Sequence, residues 1–230
     1  TMRDEEGYWF GLSMRARPIF YAKDRVDPAK LSTYEALGDD QWKGRVCIRS
    51  SSNIYNQSLI ASMMVANGSE NTEAWAKKLV ANFAKSPAGG DTDQLKAVNA
   101  GLCDVAIANT YYYGRLANSE KASDNEIAQK LAIFWPNQSN RGTHVNVSGA
   151  GVTAHSKNKD NAIQLIEFLT TDEAQAWYSK VNNEYPVVDG TKISETLKAW
   201  GTFKQDEIPL NLLGENNRAA LKLMHRACWK

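Results

Sequence analysis

Residues 104–115 read DVAIANTYYYGR. The apolar residues 105–108 predict a short buried strand, and the pair Asn109-Thr110 predicts the start of a helix that carries three tyrosines. In α/β proteins, ligand sites form just beyond the carboxyl ends of strands. This segment therefore indicates an α/β fold and marks the place where a binding site is expected.

Strand and helix patterns alternate along the rest of the chain. Apolar runs rich in β-favouring residues predict strands at 8–13 with 16–21, 46–48, 131–135 and 145–152. Apolar residues at helical spacing predict helices at 54–66, 73–85, 91–101, 159–169, 172–181 and 214–228. The polar run 49–53 is expected to cap the first of these helices. The alternation predicts an α/β fold with a largely parallel sheet.

Composition and charge narrow the class of protein. The 230 residues are enough for one large domain or two lobes, and 43% are hydrophobic and 23% charged, as in globular proteins. A formal net charge of +1 gives no general attraction for nucleic acid or for an anionic membrane. No run approaches the roughly 20 apolar residues that span a bilayer. Residues 1–7 lack the apolar segment of a secretory signal, which indicates a mature or trimmed chain.

Three cysteines, Cys47, Cys103 and Cys228, leave two interpretations open. Their spacing matches neither a CxxC pair nor a zinc site. If the predicted strands that contain Cys47 and Cys103 are neighbours in one sheet, a disulfide between them is geometrically feasible. Three buried free thiols fit the spacing equally well. Cys228 is expected to be unpaired.

The tyrosine run also has two interpretations. Neighbouring side chains on a helix point about 100° apart, so at most two of Tyr111, Tyr112 and Tyr113 converge on one point. Taken alone, the run is more readily explained by packing or surface exposure. Arg115 lies one helical turn further on the same face, where a guanidinium favours the ionised form of a phenol. Its alternative role is an exposed side chain that covers Tyr111.

Tyr55 follows the serine-rich run 49–53 at a predicted helix start. Backbone N–H groups and hydroxyls there can hold an anion, although a simple helix cap is the more common explanation. Ionised tyrosines are hard, anionic oxygen ligands that suit a highly charged ion. A trivalent cation lowers the phenol pKa far below about 10, and three phenolates neutralise Fe³⁺. No Ser-His-Asp spacing, P-loop or HExxH motif indicates catalysis.

Residues 104–115 resemble the tyrosine motif of periplasmic ferric-iron-binding proteins, the solute receptors of iron(III) ABC transporters. Other segments that resemble this family read GLSMRAR at 11–17, RSSSNIYNQS at 49–58, GGDTDQ at 89–94, FLTTDEAQ at 168–175 and EYPV at 184–187. The resemblance covers essentially the whole chain and is closest to the cyanobacterial Fut-type subgroup. It implies a two-lobed α/β periplasmic solute-binding protein fold that closes on Fe³⁺ about a hinge, without enzymatic activity.

The resemblance implies the ligands of the iron. Tyr55, Tyr111 and Tyr112 match the tyrosinate ligands, whereas Tyr113 is expected to point into packing. The ion is expected to be Fe³⁺, with Fe²⁺ left open, held between the lobes and delivered to the membrane permease of an ABC transporter. Reduction of the iron or protonation of the phenols would release it.

The resemblance also implies supporting residues around the ligands. Arg15 and Arg115 match arginines that steady the phenolates or an accompanying anion. Ser51 and Ser52 occupy the place where some relatives hold a synergistic anion.

Members of the family have an N-terminal segment that the resemblance does not cover. In the family, this segment supplies much of one lobe and a further tyrosine ligand. One lobe is therefore expected to be incomplete in this chain, with a separate N-terminal fragment completing the cleft. Residues 1–135 are expected to form mainly the tyrosine-bearing lobe, starting at a hinge strand. Residues 136–188 would cross the hinge and build part of the second lobe, and 189–230 would return to the first lobe with the C-terminal helix. The protein is expected to be a monomer that is periplasmic, or otherwise exported and membrane-associated.

Two other functions stay open. The first is a solute-binding protein for an anion or other small solute that uses the serines and arginines without metal. The second is a transferase or hydrolase, which is disfavoured because no nucleophile–base pair is recognisable.

Overall fold

The structure is a computed structural model that describes residues 2–230, and within this range there are six strands and nine α-helices. The strands are β1 (Phe10–Ala16), β2 (Ile19–Ala22), β3 (Val46–Cys47), β4 (Val105–Ile107), β5 (Leu131–Phe134) and β6 (Val145–Ala150). The helices are α1 (Ile54–Asn67), α2 (Ser69–Ala81), α3 (Asp91–Asn99), α4 (Thr110–Ala117), α5 (Ala122–Lys130), α6 (Lys159–Leu169), α7 (Asp172–Trp177), α8 (Glu195–Ala199) and α9 (Leu210–Arg226). None of the helices in residues 2–230 has both the length and the apolar character needed to span a lipid bilayer.

The chain divides into two compact units. Unit 1 consists of the residues up to Arg15 together with Val145–Thr202, and unit 2 consists of Ala16–His144 and Phe203–Lys230. All tyrosines of the predicted metal site belong to unit 2. The predicted lobe boundaries near residues 135 and 188 stay a prediction.

Unit 2 is built on a four-stranded sheet with the strand order β3-β4-β2-β5. β3 and β4 are parallel neighbours, whereas β2 runs antiparallel to both β4 and β5. The prediction of a largely parallel sheet is therefore wrong. β3, β4 and β5 do run in one direction, as the alternation with helices predicts, but β2 lies between β4 and β5 in the opposite direction. Since β2 follows β1 without a crossover helix, no helical pattern in the sequence specifies its direction.

Both faces of this sheet are buried. Successive residues of a strand face opposite sides, so Ile19 belongs to one hydrophobic cluster and Phe20 to the other. Helices α1, α2 and α9 cover the first face with the fully buried Leu59, Leu79 and Leu223. Helices α3, α4 and α5 cover the second face. Burying each leucine side chain stabilises the folded state by about 1.5–3 kcal/mol. The helices packed on both faces therefore hold β3 and β4 in place, and with them the points where the chain leaves these strands.

Unit 1 contains a two-stranded sheet of β1 and β6. Met14 and Tyr185 exchange two backbone hydrogen bonds of 2.8 and 2.7 Å beside it. The chain also passes very close to Gly151, where a Cβ atom would lie 2.1 Å from the carbonyl oxygen of Tyr8. Only glycine is therefore compatible with this approach.

The predicted helices are confirmed, with ends displaced by a few residues, but two helices differ from expectation. The sequence pattern does not predict α5, because Ile127 and Ala128 are its only buried residues and leave too few apolar positions to show a helical period. The apolar face predicted for α6 is not buried. Ile163, Leu165 and Phe168 are 46%, 57% and 52% exposed, and no residue of this helix is fully buried.

Cys47 and Cys103 form a disulfide, which decides between the two interpretations of the cysteines. Cys47 ends β3 and Cys103 precedes β4, its parallel neighbour in the sheet. Their Cα atoms lie 5.9 Å apart, within the usual range for a disulfide. Cys228 is a free, exposed cysteine, as expected.

Replacing both bonded cysteines in Cys47→Ala/Cys103→Ala is expected to lower the free energy of unfolding by about 4 kcal/mol. This is the loop-entropy value for a sequence separation of 56 residues. Urea unfolding measures it, with Cys228→Ala as a control that stays within about 0.5 kcal/mol of the wild type. Thiol counting in denaturant without reductant should find one free thiol, and a count of three would contradict the bond.

A buried histidine lies in the core of unit 2. Tyr34 Oη donates to the carbonyl oxygen of Arg17 at 2.8 Å and accepts from the backbone N–H of His144 at 3.1 Å. The Nε2 atom of His144 lies 3.0 Å from Ser58 Oγ. Burial, with smaller contributions from the charges of Arg17 and Arg141, lowers the pKa of His144 to about 3. The ring is therefore neutral in the folded protein at physiological pH.

The stability of unit 2 is expected to fall as the pH is lowered from about 6.5 towards 3. The unfolded chain binds a proton at His144 near pH 6.5, whereas the folded protein does so only near pH 3. The free energy of unfolding therefore decreases by up to about 1.4 kcal/mol per pH unit in this window. Urea unfolding across the window should show a smaller slope for His144→Gln. The exposed His225→Gln should retain the wild-type slope, and equal slopes in both variants would contradict the assignment.

Candidate metal centre

The starts of two helices lie at the same end of the sheet in unit 2. β3 and β4 are parallel neighbours, so the chain leaves both strands at one end, and α1 and α4 begin shortly afterwards. The first turn of α1 is capped by Asn53, whose Oδ1 accepts from the backbone N–H of Tyr55 at 3.1 Å. α4 begins at Thr110 as predicted, with Asn109 before it. Both first turns therefore present tyrosines at the carboxyl ends of β3 and β4.

Three predicted ligands form one group, here called the tyrosine cluster: Tyr55, Tyr111 and Tyr112. The hydroxyl oxygens of Tyr55 and Tyr111 lie 3.0 Å apart. The rings of Tyr111 and Tyr112 pack with their centroids 4.2 Å apart. Tyr111 is only 6% exposed, whereas the other two are partly exposed. The structure thus brings together residues that are far apart in the sequence.

The phenols of Tyr111 and Tyr112 are harder to ionise than free tyrosine. Burial, followed by the contacts with Tyr112 and Tyr55, raises the pKa of Tyr111 well above its ordinary value. Burial likewise raises the pKa of Tyr112, although its hydrogen bond with Tyr111 acts in the opposite direction. Without a bound cation both phenols are therefore protonated at neutral pH.

Tyr113 lies outside the tyrosine cluster. Its hydroxyl donates to the carbonyl oxygen of Ala128 at 2.9 Å, and its ring lies 5.1 Å from that of Phe20 in the second hydrophobic cluster. The expectation that Tyr113 points into packing is confirmed.

The two predicted arginines lie in different units. The Cζ atom of Arg115 lies 5.0 and 5.6 Å from the ring centroids of Tyr111 and Tyr112, so its guanidinium covers the faces of both rings. Arg15 belongs to unit 1, where it donates to Ser148 Oγ and to the carbonyl oxygen of Val147. The expected role of Arg15 beside the phenolates stays a prediction.

The predicted anion-binding serines use their backbone N–H groups within the protein. The N–H of Ser51 donates to the carbonyl oxygen of Lys230 at 3.1 Å, and that of Ser52 donates to Ser50 Oγ at 3.2 Å. The hydroxyls of Ser50 and Ser52 lie 3.0 Å apart. An anion held at Ser51 and Ser52 would therefore depend on side-chain hydroxyls, and this role stays a prediction.

Sequence reasoning misses a largely buried polar network next to the tyrosine cluster, in which Arg49 is the one partly exposed member. Its members are polar or charged side chains close to the helix starts: Arg17, Arg49, Asn56, Asp91 and Asn109. The guanidinium carbons of Arg17 and Arg49 lie 5.7 and 5.5 Å from the ring centroid of Tyr55. One signal could have revealed the network, because an arginine inside an apolar strand pattern requires a buried carboxylate partner. Asp91, after the glycine pair at 89–90, is that partner.

The donor groups gathered at this position are phenol oxygens. Within residues 2–230, no three His, Cys, Asp or Glu side chains are grouped so that they could hold a metal ion. The tyrosine cluster therefore offers the chemistry of hard, anionic oxygen ligands once its protons are displaced.

Comparison with known proteins connects this geometry to a family. Residues 1–205 match the family described as bacterial extracellular solute-binding protein. The chain is 50% identical over 229 residues to iron uptake protein A1 of Synechocystis sp., a match that covers 100% of this chain and 64% of that protein. The chain thus spans less than two thirds of the length of this relative.

Solved structures agree with the fold and with the family. The Trichodesmium protein IdiA (FutA), in complex with iron and citrate, is 51% identical with a TM-score of 0.97, over 100% of this chain and 72% of that chain. The ferric binding protein from Campylobacter jejuni is 39% identical with a TM-score of 0.95, over 100% of this chain and 73% of that chain. The predicted solute-binding protein fold and the resemblance to ferric-iron-binding proteins are confirmed. The chain belongs to the family of bacterial extracellular solute-binding proteins.

Proposed function

We propose that this protein binds ferric iron in the periplasm through the phenolates of Tyr55, Tyr111 and Tyr112 and delivers it to the permease of an ABC transporter. The observation that carries the proposal is the 3.0 Å separation between the hydroxyl oxygens of Tyr55 and Tyr111. A hard octahedral cation with metal–oxygen distances of about 2.0–2.1 Å holds neighbouring oxygens about 2.9 Å apart. The two phenols therefore already have the spacing of adjacent ligands on one ion.

Charge supports a trivalent ion. Three phenolates carry three negative charges and neutralise Fe³⁺, whereas a divalent ion would leave a negative charge in a partly buried cluster. Because burial raises the pKa of Tyr111 and Tyr112, only a strongly polarising cation displaces their protons at neutral pH. Coordination positions beyond the three phenolates are left to groups outside the tyrosine cluster.

An accompanying anion fits the charges around the tyrosines. The guanidiniums of Arg49 and Arg115 lie against the rings of the cluster, and Arg17 lies beneath them. Asp91 is the ion-pair partner of Arg17 and Arg49, so one carboxylate faces two guanidiniums. The remaining positive charge supports a small anion beside the iron, and the IdiA (FutA) relative holds iron together with citrate. Ser51 and Ser52 would contribute hydroxyls to that anion.

The proposed role is transport without catalysis. Two of the relatives are an iron uptake protein and a ferric binding protein, and this chain belongs to the extracellular solute-binding family. Delivery to a membrane permease is the transport step that this proposal adds. The competing proposal is a receptor that binds an anion without metal at the serines and arginines. It differs in its expected result with iron, since without phenolate ligands the complex would be colourless.

Adding ferric citrate to the purified protein is expected to produce a visible phenolate-to-iron charge-transfer band. Tyr112→Phe removes one phenolate, so the band should shift and the affinity for Fe³⁺ should fall by about tenfold or more, equivalent to about 1.4 kcal/mol. Absorption spectroscopy with citrate competition measures both. Tyr113→Phe is the matched control, because its hydroxyl donates to a backbone carbonyl and should not affect the band. A colourless wild type, or the same band in Tyr112→Phe, would contradict the proposal.

Iron binding is also expected to release one proton from each of Tyr111 and Tyr112, because these two phenols are protonated at neutral pH. The affinity should consequently rise with pH. Calorimetry in buffers of different ionisation enthalpy, corrected for the protons of the ferric chelate, counts the released protons. Tyr112→Phe should release one proton fewer than the wild type, and Tyr113→Phe the same number. A count independent of Tyr112 would exclude this phenol as a ligand.

A further inference from the structure

Arg17 and Asp91 form a buried ion pair next to the tyrosine cluster. Arg17 Nη1 lies 3.1 Å from Asp91 Oδ2, and the two side chains are 2% and 0% exposed. Removing two charges from water is unfavourable unless close pairing and further hydrogen bonds compensate for the lost hydration. The remaining contacts of this pair therefore indicate what it does.

Arg17 links the two tyrosine-bearing helices. Its Nη2 donates to Asn56 Oδ1 at 2.6 Å, and Asn56 directly follows Tyr55 in the first turn of α1. Its Nη1 donates to Asn109 Oδ1 at 2.8 Å, at the residue that precedes α4. The donors of a guanidinium are fixed in one plane, so these bonds set the distance between the two helix starts.

Asp91 holds the same two helix starts from the other side of the pair. Its Oδ2 accepts from the backbone N–H of Asn109 at 2.7 Å, which fixes the chain just before α4. Its Oδ1 lies 3.6 Å from Arg49 Nη1, and Arg49 lies over the ring of Tyr55. The carboxylate thus contacts the α4 side directly and the α1 side through Arg49.

Hydrophobic packing does not set this distance directly. The buried residues of α1 belong to the cluster on one face of the sheet, whereas those of α4 belong to the cluster on the other face. Within residues 2–230, neither hydrophobic cluster includes residues of both helices. The relative position of the two first turns therefore depends on the polar contacts at the carboxyl ends of β3 and β4.

We infer that the Arg17–Asp91 pair is a positioning element of the metal centre, which holds the hydroxyls of Tyr55 and Tyr111 at chelating distance before iron arrives. This inference rests on the proposed function. A site that is already assembled does not lose the conformational freedom of two helix starts when the ion binds. It also presents a fixed geometry, which residues touching no ligand must maintain.

The test compares Arg17→Lys with the wild type. The ammonium group of lysine donates from one nitrogen atom, whereas the guanidinium donates from several nitrogens in one plane. Lysine therefore cannot contact Asn56, Asn109 and Asp91 in the same geometry. We expect the affinity for Fe³⁺ to fall by about 10–100-fold and the charge-transfer band to shift, because the phenolate geometry changes. Asp91→Asn keeps an oxygen that can accept from the N–H of Asn109, so its loss of affinity should be smaller than that of Arg17→Lys.

Arg25→Lys is the matched control. Arg25 Nε pairs with Asp104 Oδ1 at 2.8 Å, and Arg25 also donates to the carbonyl oxygens of Val98 and Cys103. This substitution disturbs an Arg–Asp pair of the same unit without altering the contacts of the two helix starts. It should leave the band and the affinity for iron unchanged even if it lowers the stability.

Hydrogen exchange in the metal-free protein provides a second readout that needs no iron. Arg17→Lys should speed exchange at residues 55–58 and 109–113 together, and Arg25→Lys should not.

The results distinguish failure of the inference from failure of the proposed function. If the wild type gives a charge-transfer band, and Arg17→Lys shows the same band position and the same affinity for Fe³⁺, the inference is wrong while the proposed function stands. If the wild type gives no band, the proposed function fails. Exchange rates then decide whether the pair holds the two helix starts, and unchanged rates would overturn the inference as well.

Discussion

The contact between the hydroxyls of Tyr55 and Tyr111 is the constraint on which the proposed metal centre depends. It exists because β3 and β4 are parallel neighbours, so two helices that are distant in the sequence begin side by side. The disulfide between Cys47 and Cys103 joins the same two strands covalently. The sheet and its crosslink thus bring the two helix starts side by side, where the polar contacts of Arg17 and Asp91 connect them.

The antiparallel direction of β2 places Arg17 near the same two helix starts. Ile19, the first residue of β2, lies opposite Ile107, the last residue of β4. The residues just before β2 consequently lie beside the residues just after β4, and this places Arg17 within hydrogen-bonding distance of Asn109. A parallel β2 would have placed Arg17 at the opposite end of the sheet. The feature that departs from a simple alternating fold is therefore the one that brings the buried guanidinium to the tyrosines.

The sequence predicts the parts of this site that depend on local signals. The apolar strand before Tyr111 and the cap at Asn53 are local patterns, and the family resemblance adds Tyr55 to the same site. The partnership of Arg17 with Asp91 is not local, since it depends on the order and direction of strands that no short pattern specifies. The exposure of α6 is missed for a related reason. Its apolar spacing predicts a helix correctly, but whether a neighbour covers that face depends on tertiary structure.

The raised phenol pKa values connect binding to release in the proposed function. In the metal-free state the protons on Tyr111 and Tyr112 compete with any cation, and burial strengthens that competition. In the proposed function Fe³⁺ would displace these protons because three phenolates balance its charge. Reduction to Fe²⁺ leaves one uncompensated negative charge in a partly buried cluster, and that charge favours the return of a proton to a phenol. Burial disfavours ionised Tyr111 and Tyr112 when the bound ion carries a low charge. Under the proposed function, the loss of one positive charge on reduction would therefore weaken the binding of iron.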